Sequence, residues 1–170
     1  MDEVNLGLLI LRVAIGLTMA AHGYAKTTGP TGLAGTAGWF DSMGMRPGKV
    51  HARLASSTEI VAGLLLAAGL LTPFAGAAFV GLMIVAGWTV HRDNGFFIVK
   101  DGWEYNFVLG LVAVAIATTG PGEWSVDEAL GIATDLDGVV GLAISLGLGV
   151  LGGVAQVALF YRPPAPAESG

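Results

Sequence analysis

Five apolar runs, at residues 4–21, 54–71, 74–90, 103–119 and 139–161, dominate this 170-residue chain. At 1.5 Å of helix per residue each can cross or nearly cross the ~30 Å hydrocarbon core of a bilayer. Only 12% of the residues are charged, against about 25% in soluble domains, so the surface of a water-soluble globule cannot be built from this chain. The expected fold is therefore all-α, a polytopic membrane helical bundle with the lipid bilayer as its principal partner. The dipeptide Thr72-Pro73 separates the second and third runs. Proline cannot continue the first helix and suits the start of the next, so these two runs are predicted to form an antiparallel hairpin.

The distribution of charge predicts orientation. Of the eight Lys and Arg residues, Lys26, Arg46, Lys49, Arg53, Arg92, Lys100 and Arg162 fall on one side of this topology, and Arg12 lies inside the first run. The other side receives the N-terminus, the Thr72-Pro73 turn and an acidic loop, 121–138, carrying Glu123, Asp127, Glu128, Asp135 and Asp137. Cytoplasmic loops carry the excess of Lys and Arg, which puts the N-terminus and acidic loop outside a bacterial inner membrane and the C-terminus in the cytoplasm. The opening Met1-Asp2-Glu3 lacks a basic stretch, so the first run reads as a retained span rather than a cleaved signal. Trp88, Trp103 and Trp124 lie near span ends, as an interfacial aromatic belt requires. Residues 29–40 are too glycine-rich for a clear helix and too apolar for a free linker, and are expected to form an interfacial or re-entrant segment anchored by Trp39 and Phe40. The tail, 162–170, is expected to be disordered. The net charge of −5 and the absence of a clustered basic patch exclude nucleic acid as a partner. With no cysteine the chain has no disulfide, thiolate metal site or thiol redox chemistry of its own, and no metal site is predicted.

Charged groups inside a membrane need either a partner or a role. Arg12 sits ten residues before His22, ~15 Å from the inner end of its helix and too deep to snorkel easily. Glu59 is its natural counter-charge, provided that the second helix starts earlier, near Lys49, or that a water bridges the two. Further polar residues gather at the inner ends: His22 and Lys26 one helical turn apart, His91, Arg92 and Asp93 closing the third span, and Glu104 and Asn106 opening the fourth. Two histidines, two carboxylates and an arginine facing one leaflet form a candidate site. The fifth run carries Gly141, Ser145, Gly149 and Gly153 at four-residue intervals. This strip of small residues suits close helix approach, either within the core or between copies in a homo-oligomer.

The stretch Leu11-Arg12-Val13-Ala14-Ile15-Gly16-Leu17, followed by His22-Gly23-Tyr24-Ala25-Lys26, resembles the DoxX family of small bacterial membrane proteins. So do Glu59-Ile60-Val61-Ala62-Gly63-Leu64, Gly69, Thr72-Pro73, His91 and Glu104. The wider group includes the DoxD subunit of thiosulfate:quinone oxidoreductase. The resemblance covers about residues 4–119 and implies a four-helix core over 1–120, to which the acidic loop and the fifth span, 139–161, are an addition. It implies association with membrane-bound, quinone-linked oxidoreduction and with oxidoreductase partner subunits. A quinone ring suits the donor set: Arg12, His22, Lys26 and His91 would hold it, while Glu59 and Glu104 would handle protons. A bis-histidine haem between His22 and His91 is the weaker alternative, because both lie at helix ends. Two other roles fit the same residues. One is a non-catalytic scaffold that recruits partners through its fifth span, and the other is a proton or small-solute pathway.

Overall fold

The structure is a computed structural model in which residues 2–163 are described. Helix α1 (Asp2–Thr28) leads into a short α2 (Gly32–Ser42), then α3 (Gly48–Ala68) and α4 (Thr72–Ala86). Helix α4 continues through a π-helical turn, Gly87–His91, and a 3-10 turn, Arg92–Asn94. After a loop come α5 (Glu104–Thr119), two single turns α6 (Val126–Ala129) and α7 (Ala133–Leu136), and a last long helix. That helix consists of α8 (Gly138–Leu142), a second π turn (Ala143–Leu148) and α9 (Gly149–Phe160). Three helices, Asp2–Thr28, Thr72–Asn94 and Gly138–Phe160, are long and apolar enough to cross a membrane, and α3 and α5 pack among them. The chain is an all-α, multi-pass membrane bundle. Its outward faces carry large apolar side chains such as Ile10, Val61 and Leu151, which only lipid can solvate.

The hairpin between α3 and α4 forms as expected. Gly69 ends α3 in the left-handed region at φ 65°, its amide donating to the Leu65 and Leu66 carbonyls, a conformation that favours glycine. Pro73 lies in the first turn of α4, where its missing N–H costs nothing. Helix α3 begins earlier than the apolar run, at Gly48, because 48–53 are amphipathic: Lys49 and Arg53 point outward while His51 and Ala52 are buried. Residues 29–40, read as too glycine-rich for a clear helix, hold most of helix α2. Phe40 turns inward onto Met45, Ala52 and Val85, and Trp39 stays exposed.

The two ends of the bundle differ in chemistry. At one, the acidic loop is pinned: the Glu123 amide donates to the side chain of Asn5 at 3.0 Å, and Asp127 accepts from the Leu71 and Thr72 amides at 2.7 and 3.0 Å. At the other end the segment just after the last helix joins the α2–α3 connection, with Arg162 N donating to Gly44 O at 2.8 Å. Of the tail expected to be disordered, residues 164–170 lie outside the described residues.

The small-residue strip of the fifth span is used within the chain. Ser145 is fully buried. A Cβ at Gly149 would stand 2.5 Å from Val80 Cβ, one at Gly153 would stand 2.9 Å from Ile84 Cβ, and one at Gly141 would overlap the Ala117 carbonyl. Of the two uses open to this strip, packing within the core or contact between copies, the structure uses it for packing on α4 and α5.

Candidate functional site

Helices α1 and α3 run antiparallel at the distance their glycines permit. Gly16 abuts Gly63, and Gly23 abuts Ser56 and Glu59, with no room for a Cβ at any of the three glycines. This register decides which charges meet. Glu59 lies beside Gly23, one turn from Lys26, whereas Arg12 is eleven residues up the helix from Gly23, ~16 Å away. The expected pairing of Arg12 with Glu59 is accordingly not formed. Lys26 Nζ donates to both carboxylate oxygens of Glu59, at 2.8 and 2.6 Å, and Glu59 is buried.

The ion pair lies in the wall of a cavity of about 560 Å³ bounded by α1, α3, α4, α5 and the fifth span, with α2 across one side. Most of the lining is apolar, including Met19, Phe40, Leu82 and Leu109. The polar groups are few: His22, Lys26, Glu59, His91, Asn106 and Gln156, with three threonines and Tyr105. Apolar walls with a small number of placed polar groups are the usual make-up of a site for a small organic ligand. His22 is exposed and stands at the mouth. His91 is oriented by a 2.7 Å contact between its Nδ1 and the Asp101 carbonyl. Asn106 is 7% exposed. Its amide nitrogen reaches only Met83 Sδ, at 3.7 Å, and its Oδ1 has no hydrogen-bond partner among the described residues.

Four of the six predicted site residues, His22, Lys26, Glu59 and His91, therefore share one cavity. Glu104 does not line it: its Oε2 accepts from the Ile98 amide at 2.9 Å and braces the 95–104 loop. Arg12 belongs to the far end of the bundle. Fully buried, it donates to the Ala67 carbonyl at 2.6 Å and to the Trp124 carbonyl, tying α1 to the end of α3 and to the acidic loop. A Cβ at Gly69 would stand 2.8 Å from the Arg12 guanidinium, so that turn is built around the arginine.

Asn106 belongs to the polar cluster that the sequence places at the inner ends. Two other polar side chains escaped sequence reasoning. Gln156 was legible as the lone amide in the last apolar run. His51 carried no signal, because the apolar run begins after it. Buried at 1% exposure, His51 accepts at Nδ1 from the Gln156 amide, 3.1 Å away, and lies edge-on to Phe160 with ring centroids 5.0 Å apart. It fastens the fifth span to α3.

The family model described as DoxX matches residues 7–92. An "Uncharacterized protein" of Haemophilus influenzae is 25% identical over 124 residues, covering 72% of this chain and 82% of that protein. The "Putative oxidoreductase CatD" of Bacillus subtilis is 30% identical over 116 residues, covering 68% of this chain and 81% of that protein. No solved structure matches.

Proposed function

Because this chain belongs to the DoxX family, we propose that it is a membrane subunit of a quinone-linked oxidoreductase system and that the cavity beside Lys26 and Glu59 receives the quinone ring. The observation that carries the reading is an ion pair between half-buried Lys26 and buried Glu59, set in an apolar cavity where the Asn106 oxygen has no partner among the described residues. The name of the Bacillus subtilis relative supports the oxidoreductase part.

The residues fit the ligand's chemistry. Of the three protons on Lys26, two point to the oxygens of Glu59, which leaves one to donate to a ring carbonyl. The Glu59 carboxylate beside Lys26 can receive a proton from the aqueous side by way of the exposed His22 and hand it to the ring. Asn106 Oδ1 can accept from a ring hydroxyl, which would satisfy the buried oxygen. A quinone, when bound, accepts electrons and protons together. The electrons are assigned to a partner subunit, since this chain has neither cysteine nor a nucleotide-binding fingerprint.

The test is a titration of the purified protein in nanodiscs with a tail-free benzoquinone. Saturable binding is expected. The double substitution Lys26→Gln with Glu59→Gln replaces the ion pair by a neutral pair of similar size without leaving a lone buried charge. Loss of one charge-assisted hydrogen bond, about 1.5–3 kcal/mol, should weaken binding roughly ten- to a hundredfold. Absence of saturable binding, or binding indifferent to the double substitution, would remove the ring from this cavity.

A further inference from the structure

A second hollow, an open groove of about 460 Å³, runs down the lipid-facing side of α4, α5 and the fifth span. Its walls are apolar, with Ile84, Phe107, Leu111 and Val150 among them. Trp88, Trp103 and Arg92 stand at one end, and the Arg92 guanidinium lies 4.7 Å from the Trp88 ring centre. Two observations set it apart from an ordinary seam between helices. The first is that both π-helical turns among the described residues border it, one through Gly87 and Trp88 and the other through Leu146. Single π turns inside α-helices are rare and occur frequently at functional sites. The second is that its floor is the wall of the ring cavity: Met83 and Asn106 line both hollows. The unpartnered Asn106 oxygen thus belongs to the threshold between a polar cavity inside the bundle and a groove open to the bilayer.

We propose that this groove holds the alkyl or isoprenoid tail of the quinone whose ring occupies the cavity, with Asn106 and Met83 forming the sill the ligand crosses on entering from the membrane. The inference rests on the ring reading given above. A ligand dissolved in lipid approaches laterally, and the groove supplies an apolar path ending at the cavity wall. Two glycines keep the path clear. A Cβ at Gly87 would stand 3.7 Å from Asn106 Cβ, and one at Gly110 would stand 3.8 Å from Met83 Cβ. Both are ordinary contact distances, so a Cβ fits at either position, and a longer side chain there would compete with a tail for the groove. The hydrophobic effect contributes little to seating a tail that lipid already solvates, so what the groove adds is shape and access.

The experiment compares two probes in nanodiscs, a tail-free dimethoxy-methyl-benzoquinone and the same ring bearing a decyl tail. Binding is read from quenching of tryptophan fluorescence, and each variant is expressed as a ratio to the unaltered protein so that partition into lipid cancels. Gly110→Leu should raise the dissociation constant of the tailed probe about tenfold and leave the tail-free probe unmoved. Gly147→Leu, whose added side chain meets open space, should move neither. Leu111→Trp, at an exposed groove position, repeats the test should Gly110→Leu fail to fold. If the groove-filling variants leave both probes unchanged, or weaken both equally, the tail does not lie there although the ring reading stands. If neither probe binds the unaltered protein, the ring reading fails and the groove loses its ligand with it.

Discussion

A guanidinium halfway along an apolar helix must find acceptors, and Arg12 finds them mainly on backbone. The last carbonyls of a helix are free by construction, and Ala67, next to last in α3, supplies one of them. The nearby carboxylate of Asp127 is meanwhile taken up by Leu71 and Thr72 at the start of α4. Arg12→Met should cost roughly 3 kcal/mol, two charge-assisted hydrogen bonds less the desolvation of a charge. The expected readouts are a thermal midpoint several degrees lower in detergent and faster proteolysis within residues 120–138. Binding in the ring cavity should persist, because Arg12 is not among its lining residues. Unchanged stability with lost binding would put Arg12 back in the site. The need for compensation was readable from one charge in an apolar run. Its direction was not, because carbonyl oxygens look alike in every sequence and two helix faces of equal apolarity give no period to orient by. The Lys26–Glu59 pair stayed hidden for a related reason: it depends on the α1–α3 register, which Gly16, Gly23 and Gly63 set by close approach.

Among the elements, the fifth span shows how much a residue pattern says without its partner. Small residues every four positions announced a close contact, and α4 and α5 of the same chain provide it. Gly149→Leu should therefore be severely damaging, since even a Cβ there meets Val80 Cβ at 2.5 Å and Ala77 O at 2.8 Å. Overpacking of this kind typically costs 1–3 kcal/mol or more. Gly152→Leu, whose Cβ meets nothing within 4 Å, should leave the thermal midpoint within a degree or two. Equal behaviour of the two variants would mean that the strip does not pack on α4. Helix α2 is the complementary case, since its glycines argued against a helix. The burial of Ala37 and Phe40 against the start of α3 supplies from tertiary packing what local propensity lacks.

For the whole molecule, the strongest asymmetry is electrical. Lys26, Arg46, Lys49, Arg53, Arg92, Lys100 and Arg162 share one end, and the described residues of the acidic loop occupy the other with no Lys or Arg among them. The fold preserves the separation: Asp127 and Asn5 bind the loop to the α3–α4 turn and the start of α1, while Arg162 returns to Gly44 beside α2. Since cytoplasmic segments carry the excess of Lys and Arg, the cavity end that bears Lys26 and His22 is expected to face the cytosol. Because the chain contains no cysteine, single cysteines report this without background. Asp135→Cys and Lys100→Cys both replace exposed residues, one at each end. In intact spheroplasts a membrane-impermeant maleimide should label Asp135→Cys rapidly and reach Lys100→Cys only after the membrane is opened. The reverse order would turn the bundle over. Protons taken up at Glu59 would then be drawn from the opposite compartment, and any electron-donating partner would have to dock on the outer face.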